Sequence, residues 1–149
     1  MSSQEHFFVT GALGCVGAWV VRNLVQDRVS VTTYDLGSSQ HRLELIMSAE
    51  EIAQVNFING DVTDSDAVAN AMQAAGTTHV IHLAALQVPF CKANPVLGAR
   101  VNVVGTVNIF EAAKKIGLQH VVYASSVAVY GTPDEYTDRL LKHDAPMNP

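Results

Sequence analysis

The run Phe7-Phe8-Val9-Thr10-Gly11-Ala12-Leu13-Gly14-Cys15-Val16-Gly17 is the most informative in the chain. Its first four residues have the apolar, β-branched and aromatic character of a short strand, and the rest spells Gly-x-x-Gly-x-x-Gly. From there Val16, Val20 and Leu24, with Val21 and Val25 beside them, recur at helical spacing and predict one apolar helix face. A strand, a glycine loop and a helix in that order build a site for an anion. The first glycine permits a tight turn, the second admits a pyrophosphate to the backbone, and the third lets the helix pack close to the sheet. The negative charge then lies against the unpaired N–H groups of a helix start.

Outward from this run the chain alternates. Val29 to Tyr34 predicts a second strand, ending at Asp35, 24 positions after Gly11. A carboxylate there accepts hydrogen bonds from adenosine ribose hydroxyls and repels a 2′-phosphate. The first basic residue after it is Arg42, so the pattern favours NAD over NADP; the plainer reading of Asp35 is a turn-forming aspartate. Leu43, Ile46, Met47 and Ile52 predict a helix over 41–54, and Val55 to Ile58 a third strand. Thr63-Asp64-Ser65-Asp66 is rich in capping residues and opens a helix that Gly76 closes. His79 to Leu83 predicts a fourth strand buried on both faces, a long helix runs from about Pro95 to Ile116, and His120 to Ala124 predicts a fifth strand. The tail from Thr132 to Pro149 is polar, with three prolines and a short helix expected around Tyr136 to Lys142. Five strands alternating with helices predict an α/β architecture, a doubly wound parallel sheet of Rossmann type with right-handed crossovers.

Composition narrows the function. The chain has 149 residues, enough for one domain, and is 48% hydrophobic and 15% charged, unlike a disordered sequence. Nine basic against 14 acidic residues give a net charge of −5, without the basic footprint of a nucleic-acid binder. No apolar run reaches the length of a membrane span, and the polar start is unlike a signal peptide, so a cytoplasmic protein is the expectation. Cys15 and Cys91 form neither a disulfide framework nor a zinc pattern. The six histidines show no ligand spacing, so no metal is expected and they read as structural or surface residues. The Gly-Lys-[Ser/Thr] of a P-loop is absent.

Five further segments resemble the extended short-chain dehydrogenase/reductase family, the NAD-dependent nucleotide-sugar epimerases and dehydratases. They are Gly60-Asp61-Val62-Thr63-Asp64, His82-Leu83-Ala84-Ala85, Asn102-Val103-Val104-Gly105-Thr106, Tyr123-Ala124-Ser125-Ser126 with Val129-Tyr130-Gly131, and Asp144-Ala145-Pro146-Met147-Asn148-Pro149. The resemblance runs from Phe7 to Pro149. It implies that Gly11, Gly14, Cys15, Val16 and Gly17 face the pyrophosphate and that Asp35 holds the ribose. It places Asp61 at the adenine amine and packs Val62 against the ring, although Asp61 also reads as a turn residue beside Gly60. It sets Leu83, Ala84 and Ala85 along the pyrophosphate and nicotinamide ribose. Gln87 stands where many relatives carry a lysine or another polar residue, and Asn102 ties helix to strand on the nicotinamide side or satisfies a helix irregularity.

Family chemistry is hydride transfer between a substrate carbinol carbon and the nicotinamide. A tyrosine serves as the base, tuned by a lysine four residues later, and a Ser or Thr binds the same substrate oxygen. The resemblance makes Ser126 that hydroxyl. Tyr34, Tyr123, Tyr130 and Tyr136 are followed at the fourth place by Ser38, Val127, Asp134 and Leu140, so no Tyr-x-x-x-Lys occurs. The expectation is therefore a chain truncated before the catalytic helix: residues 1–149 form an incomplete NAD-binding domain without the substrate-binding region. The full-length protein is expected to be a homodimer acting on a nucleotide-sugar or related polyol. The fifth strand should be a bare edge, and the long helix should expose an apolar face. The alternative is a non-catalytic dinucleotide-sensing module.

Overall fold

The computed structural model describes residues 5–137 and 140–148. Five strands, β1 (His6–Thr10), β2 (Ser30–Asp35), β3 (Asn56–Asn59), β4 (His79–His82) and β5 (His120–Tyr123), form one parallel sheet in the order β3-β2-β1-β4-β5. The order reverses between β1 and β4, whose ends Thr10 and His82 pair in register. In such a sheet the crevice beyond the strand ends at this reversal is the place for a ligand.

Helices cover both faces. On one side α1 (Cys15–Gln26), α2 (His41–Glu44) and α3 (Ala49–Ile52) pack over β1, β2 and β3 through Val9, Val21, Val25, Val31, Leu43 and Val55. On the other, α4 (Ser65–Ala74) and the later helix Thr106–Lys115 bury Val68, Met72 and Ile109 against Phe8, Tyr34 and Val80. Phe8 and Val9 point to opposite faces, which is why β1 reads as a continuous apolar run. Each fully buried aliphatic side chain contributes about 2 kcal/mol relative to exposure.

Several expectations are corrected. The face of α1 turned to the sheet carries Gly17, Ala18, Val21 and Val25, while Val16 is 65% exposed. Small residues at 17 and 18 bring the first turn onto the sheet and leave Val16 outward. The helix expected over 41–54 is two short ones. Ser48 is extended (φ −76°, ψ 164°) and forms a capping box with Glu51, so it starts a new helix rather than continuing the first. The long helix is preceded by α5 (Val88–Ala93), with Pro89 in its first turn, a segment to which the sequence pattern assigns no element. It then divides into α6 (Pro95–Ala99), a π-helical turn at Arg100–Gly105, and α7 (Thr106–Lys115). No helix forms in the described part of the tail segment expected at 136–142, whose residues 138 and 139 lie outside the described residues; 3₁₀ turns occupy Val127–Tyr130 and Pro133–Glu135 instead. Leu140 is 82% exposed, and so short a helix without a face to bury is unstable.

β4 is not buried on both faces. His79 and Ile81 are half-buried, because among the described residues no helix covers β4 and β5 on the α1 side. Phe7, His79 and His120 stack there in register, with ring centroids 4.6 and 4.7 Å apart. β5 is one of the two sheet edges, with Val122 exposed. Val103, Val107 and Phe110 leave an apolar face open along the π-turn and α7.

Candidate functional site

The glycine loop lies at the sheet reversal. Gly11 has φ +66°, and a Cβ there would come within 2.6 Å of the Ala84 nitrogen and the Leu83 carbonyl carbon. Only glycine lets this loop touch the end of β4. A Cβ on Gly17 would meet the Ala12 Cα at 2.6 Å, which makes it the close-packing glycine. Gly14 is the most open of the three, with its own loop as the one near neighbour. It caps α1 in extended conformation, without a side-chain cap, and the first turn carries no acid. Ala18 is the donor to the Gly14 carbonyl, at 3.0 Å. Cys15, Val16 and Gly17, in the first turn, line the crevice at the positive end of this 12-residue helix.

Asp35 closes one end. Its Oδ2 accepts from the Leu13 N–H at 2.9 Å, which ties the end of β2 to the glycine loop. Burial pushes its carboxyl above the usual aspartate value, while the N–H groups of Leu13, Ala12 and Leu36 pull the other way. Asp61 serves two purposes: its Oδ1 accepts from the Thr63 N–H at 2.8 Å, an Asx turn, and its backbone carbonyl accepts from the Tyr34 hydroxyl at 3.2 Å. Val62 is buried in the core, and its carbonyl accepts from the Asn108 amide at 2.9 Å.

Two adjoining cavities, of about 440 and 840 Å³, share the wall Leu83–Gln87. The smaller one brings together Gly11, Gly14, Cys15, Val16, Gly17, Asp35, Asp61, Val62, Leu83, Ala84, Ala85 and Gln87. The larger holds Asn102 and Ser126 beside the same wall. Asn102 sits in the π-turn and clamps Leu86 from both sides: its Oδ1 accepts from the Leu86 N–H at 2.7 Å, and its Nδ2 donates to the Leu86 carbonyl at 3.0 Å. Ser126 caps the 3₁₀ turn after β5, its Oγ accepting from the Ala128 N–H at 3.2 Å. Its own hydroxyl proton is left for another acceptor.

An uncapped helix start, a backbone cradle that a side chain would fill, and a carboxylate at the end of β2 suit a dinucleotide. Residues 7–149 match the profile of the NAD dependent epimerase/dehydratase family. The chain belongs to that family. It is 37% identical over 143 residues to a UDP-glucose 4-epimerase of Mycolicibacterium smegmatis, covering 95% of this chain and 44% of that protein. It is 38% identical over 128 residues to the mouse 3 beta-hydroxysteroid dehydrogenase type 7, covering 84% of this chain and 33% of the relative. Among solved structures, the Thermus thermophilus UDP-glucose 4-epimerase complex with NAD superposes with a TM-score of 0.79 at 29% identity, over 97% of this chain and 44% of that one. The chain thus spans less than half the length of the relatives it matches.

Within this epimerase/dehydratase-family chain, the sequence reading missed Tyr34, Leu36, Gly60, Leu86 and Val101 in the smaller cavity, and Cys91 and Lys92 in the larger. Pro89 in the first turn of α5, a position proline favours, was the signal for that helix and for the Cys91 and Lys92 it carries. It also left unused a buried histidine. His82 is 4% exposed and bonded on both ring nitrogens. Burial holds its pKa below the ordinary histidine value, and burial does the same for His6. Both therefore protonate more readily unfolded than folded, so their contribution to stability is full above about pH 6.5 and fades as pH falls through that value. We expect the urea midpoint to drop between pH 7 and pH 5, and to drop less in His82→Phe. Equal drops in the two proteins would remove His82 from this account. Among the described residues no three His, Cys, Asp or Glu converge on a metal position, and no helix is long and apolar enough to cross a membrane.

Proposed function

We propose that this chain is the NAD-binding portion of an NAD-dependent epimerase or dehydratase that works by hydride transfer on a nucleotide-sugar or related polyol. The uncapped start of α1, in one crevice with Asp35 at the end of β2, carries this reading. In it, the N–H groups of Cys15, Val16 and Gly17 bind the pyrophosphate, and Gly11 and Gly14 leave room for it. Asp35 accepts from the ribose hydroxyls through the carboxylate oxygen that Leu13 leaves free. Asp61 and Val62 border the adenine, with the Asp61 carboxylate already partly engaged by Thr63. Leu83, Ala84, Ala85 and Gln87 line the passage to the larger cavity, where Asn102 fixes the wall and Ser126 offers a hydroxyl to a substrate oxygen. NAD, when bound, supplies the hydride acceptor.

No tyrosine of the chain has a lysine four residues on, so the reading assigns it cofactor binding without turnover of its own. The apolar face of Val103, Val107 and Phe110 supports a homodimer in the full-length protein.

Calorimetric titration with NAD and NADP tests the ribose contact. Asp35→Ala should weaken NAD by about tenfold or more, the worth of a hydrogen bond to a charged group, and narrow the gap to NADP. Unchanged affinity for both would end the assignment.

A further inference from the structure

The ends of β1 and β4 and the start of α7 are joined by an unbroken chain of hydrogen bonds. The Ala84 N–H donates to Thr10 Oγ1 at 3.2 Å, and Thr10 Oγ1 lies 2.6 Å from His82 Nδ1. On the far side of the ring, His82 Nε2 lies 3.1 Å from Thr106 Oγ1, which donates to the Asn102 carbonyl at 2.8 Å. Each hydroxyl has one proton to give. Thr106 commits its proton to Asn102, so it can only accept from His82, and Nε2 must carry the ring proton. Nδ1 then accepts from Thr10, whose oxygen accepts from Ala84. All donors point one way, from Ala84 to Asn102.

This orientation fits one protonation state. A second ring proton would set a donor on Nδ1 against the Thr10 hydroxyl, and Thr10 is fully buried with no other acceptor for its proton among the described hydrogen bonds. Around His82 the packed elements offer few charges. Its register neighbours are Thr10 in β1 and Tyr123 in β5, α7 contributes Thr106, and Lys92 of α5 shares the larger cavity.

We infer that His82, neutral and protonated on Nε2, is a positioning residue that couples the glycine-loop strand to the π-turn and so holds the Leu83–Gln87 wall in one place. The wall is held at two points: Leu83 and Ala84 on Thr10, and Leu86 on Asn102 and Cys91. The His82 ring joins those two anchors through the Thr10 and Thr106 hydroxyls, the last link ending on the Asn102 backbone carbonyl. Thr106 does not line the smaller cavity, so an effect of Thr106 on that cavity must travel through its neighbours. The consequence for NAD rests on the function proposed above; the coupling itself does not.

The test uses the 149-residue chain. Amide hydrogen exchange at Ala84 is followed in Thr106→Val, Thr106→Ser and His82→Phe, and in the His82→Phe, Thr106→Val pair. Thr106→Val should speed Ala84 exchange about fivefold, within the range of measured couplings between bonded neighbours, and Thr106→Ser should restore it. In the His82→Phe background Thr106→Val should add nothing. An unchanged Ala84 amide in Thr106→Val overturns the coupling. So does an equal effect in both backgrounds, which would route it through Asn102 and Leu86 instead. Ring ¹⁵N spectra of the unaltered chain decide the matter even if a variant fails to fold: a neutral ring with its proton on Nε2 at pH 7 is expected, and a proton on Nδ1 or an imidazolium overturns the inference. A parallel NAD titration separates the two claims, since absence of NAD binding with the coupling intact defeats the proposed function alone.

Discussion

Gly11→Ala will abolish measurable NAD binding and destabilise the chain by about 3 kcal/mol, the sum of a strained backbone and an overpacked contact. The residue sits at φ +66°, where a Cβ costs energy whatever the surroundings. Here the surroundings are backbone atoms of Leu83 and Ala84, which cannot rotate away as a side chain would. Relief requires the loop and the end of β4 to part, which opens the crevice between them. For a domain of this size the melting temperature should fall by about 10 °C. Gly14→Ala is the control: its nearest neighbour is a loop oxygen at 3.1 Å, so the loss of stability should be small while the cofactor site still narrows. A Gly11→Ala protein that melts like the parent and binds NAD equally well would mean the loop is not held against β4.

Asn102→Ala is the second large effect. Its amide satisfies both the N–H and the carbonyl of Leu86, so alanine leaves the N–H without a partner and the carbonyl with only the weak Cys91 thiol donor at 3.3 Å. The expected cost is about 2 to 4 kcal/mol, with NAD affinity reduced about tenfold because the wall of both cavities loosens. Asn102→Asp retains the acceptor for the Leu86 N–H and loses the donor, and should fall between the two. Equal urea midpoints for Asn102→Ala and the parent would show that Leu86 finds its partners elsewhere.

The fold was legible because its signals are local and periodic. Phe7 to Gly17, the strand ending at Asp35, and the capped helix after Asp64 each carry their own boundary residues, and Asp64 does cap α4. What was not legible depends on neighbours distant in sequence. Val16 fits the helical stripe, yet Gly17 and Ala18 turn the helix so that it faces out. Leu43 to Ile52 has one helical period, and Ser48 breaks it with a cap whose partner is three residues on. The π-turn at Arg100–Gly105 has no propensity signature; it is visible only through what Asn102 and Thr106 contact.

The site follows the same division. The glycines and Asp35 announce themselves by spacing, and the structure brings them to one crevice. Asp61 and Ser126 were readable as types but not as roles, since each is also a turn or capping residue here. His82 heads the His82-Leu83-Ala84-Ala85 segment, yet it was read with the other histidines as structural or surface because that segment does not name its partners. Its meaning lies in Thr10 and Thr106, which are 72 and 24 positions away in sequence.

The most direct test of the account is a backbone amide spectrum of the 149-residue chain, titrated with NAD. Saturable shifts gathered at Gly11 to Gly17, Asp35 and Leu83 to Gln87 are predicted, with the amides of Cys15, Val16 and Gly17 moving most. No saturable change, or shifts gathered elsewhere on the molecule, would contradict the claim that the crevice at the sheet reversal binds the dinucleotide.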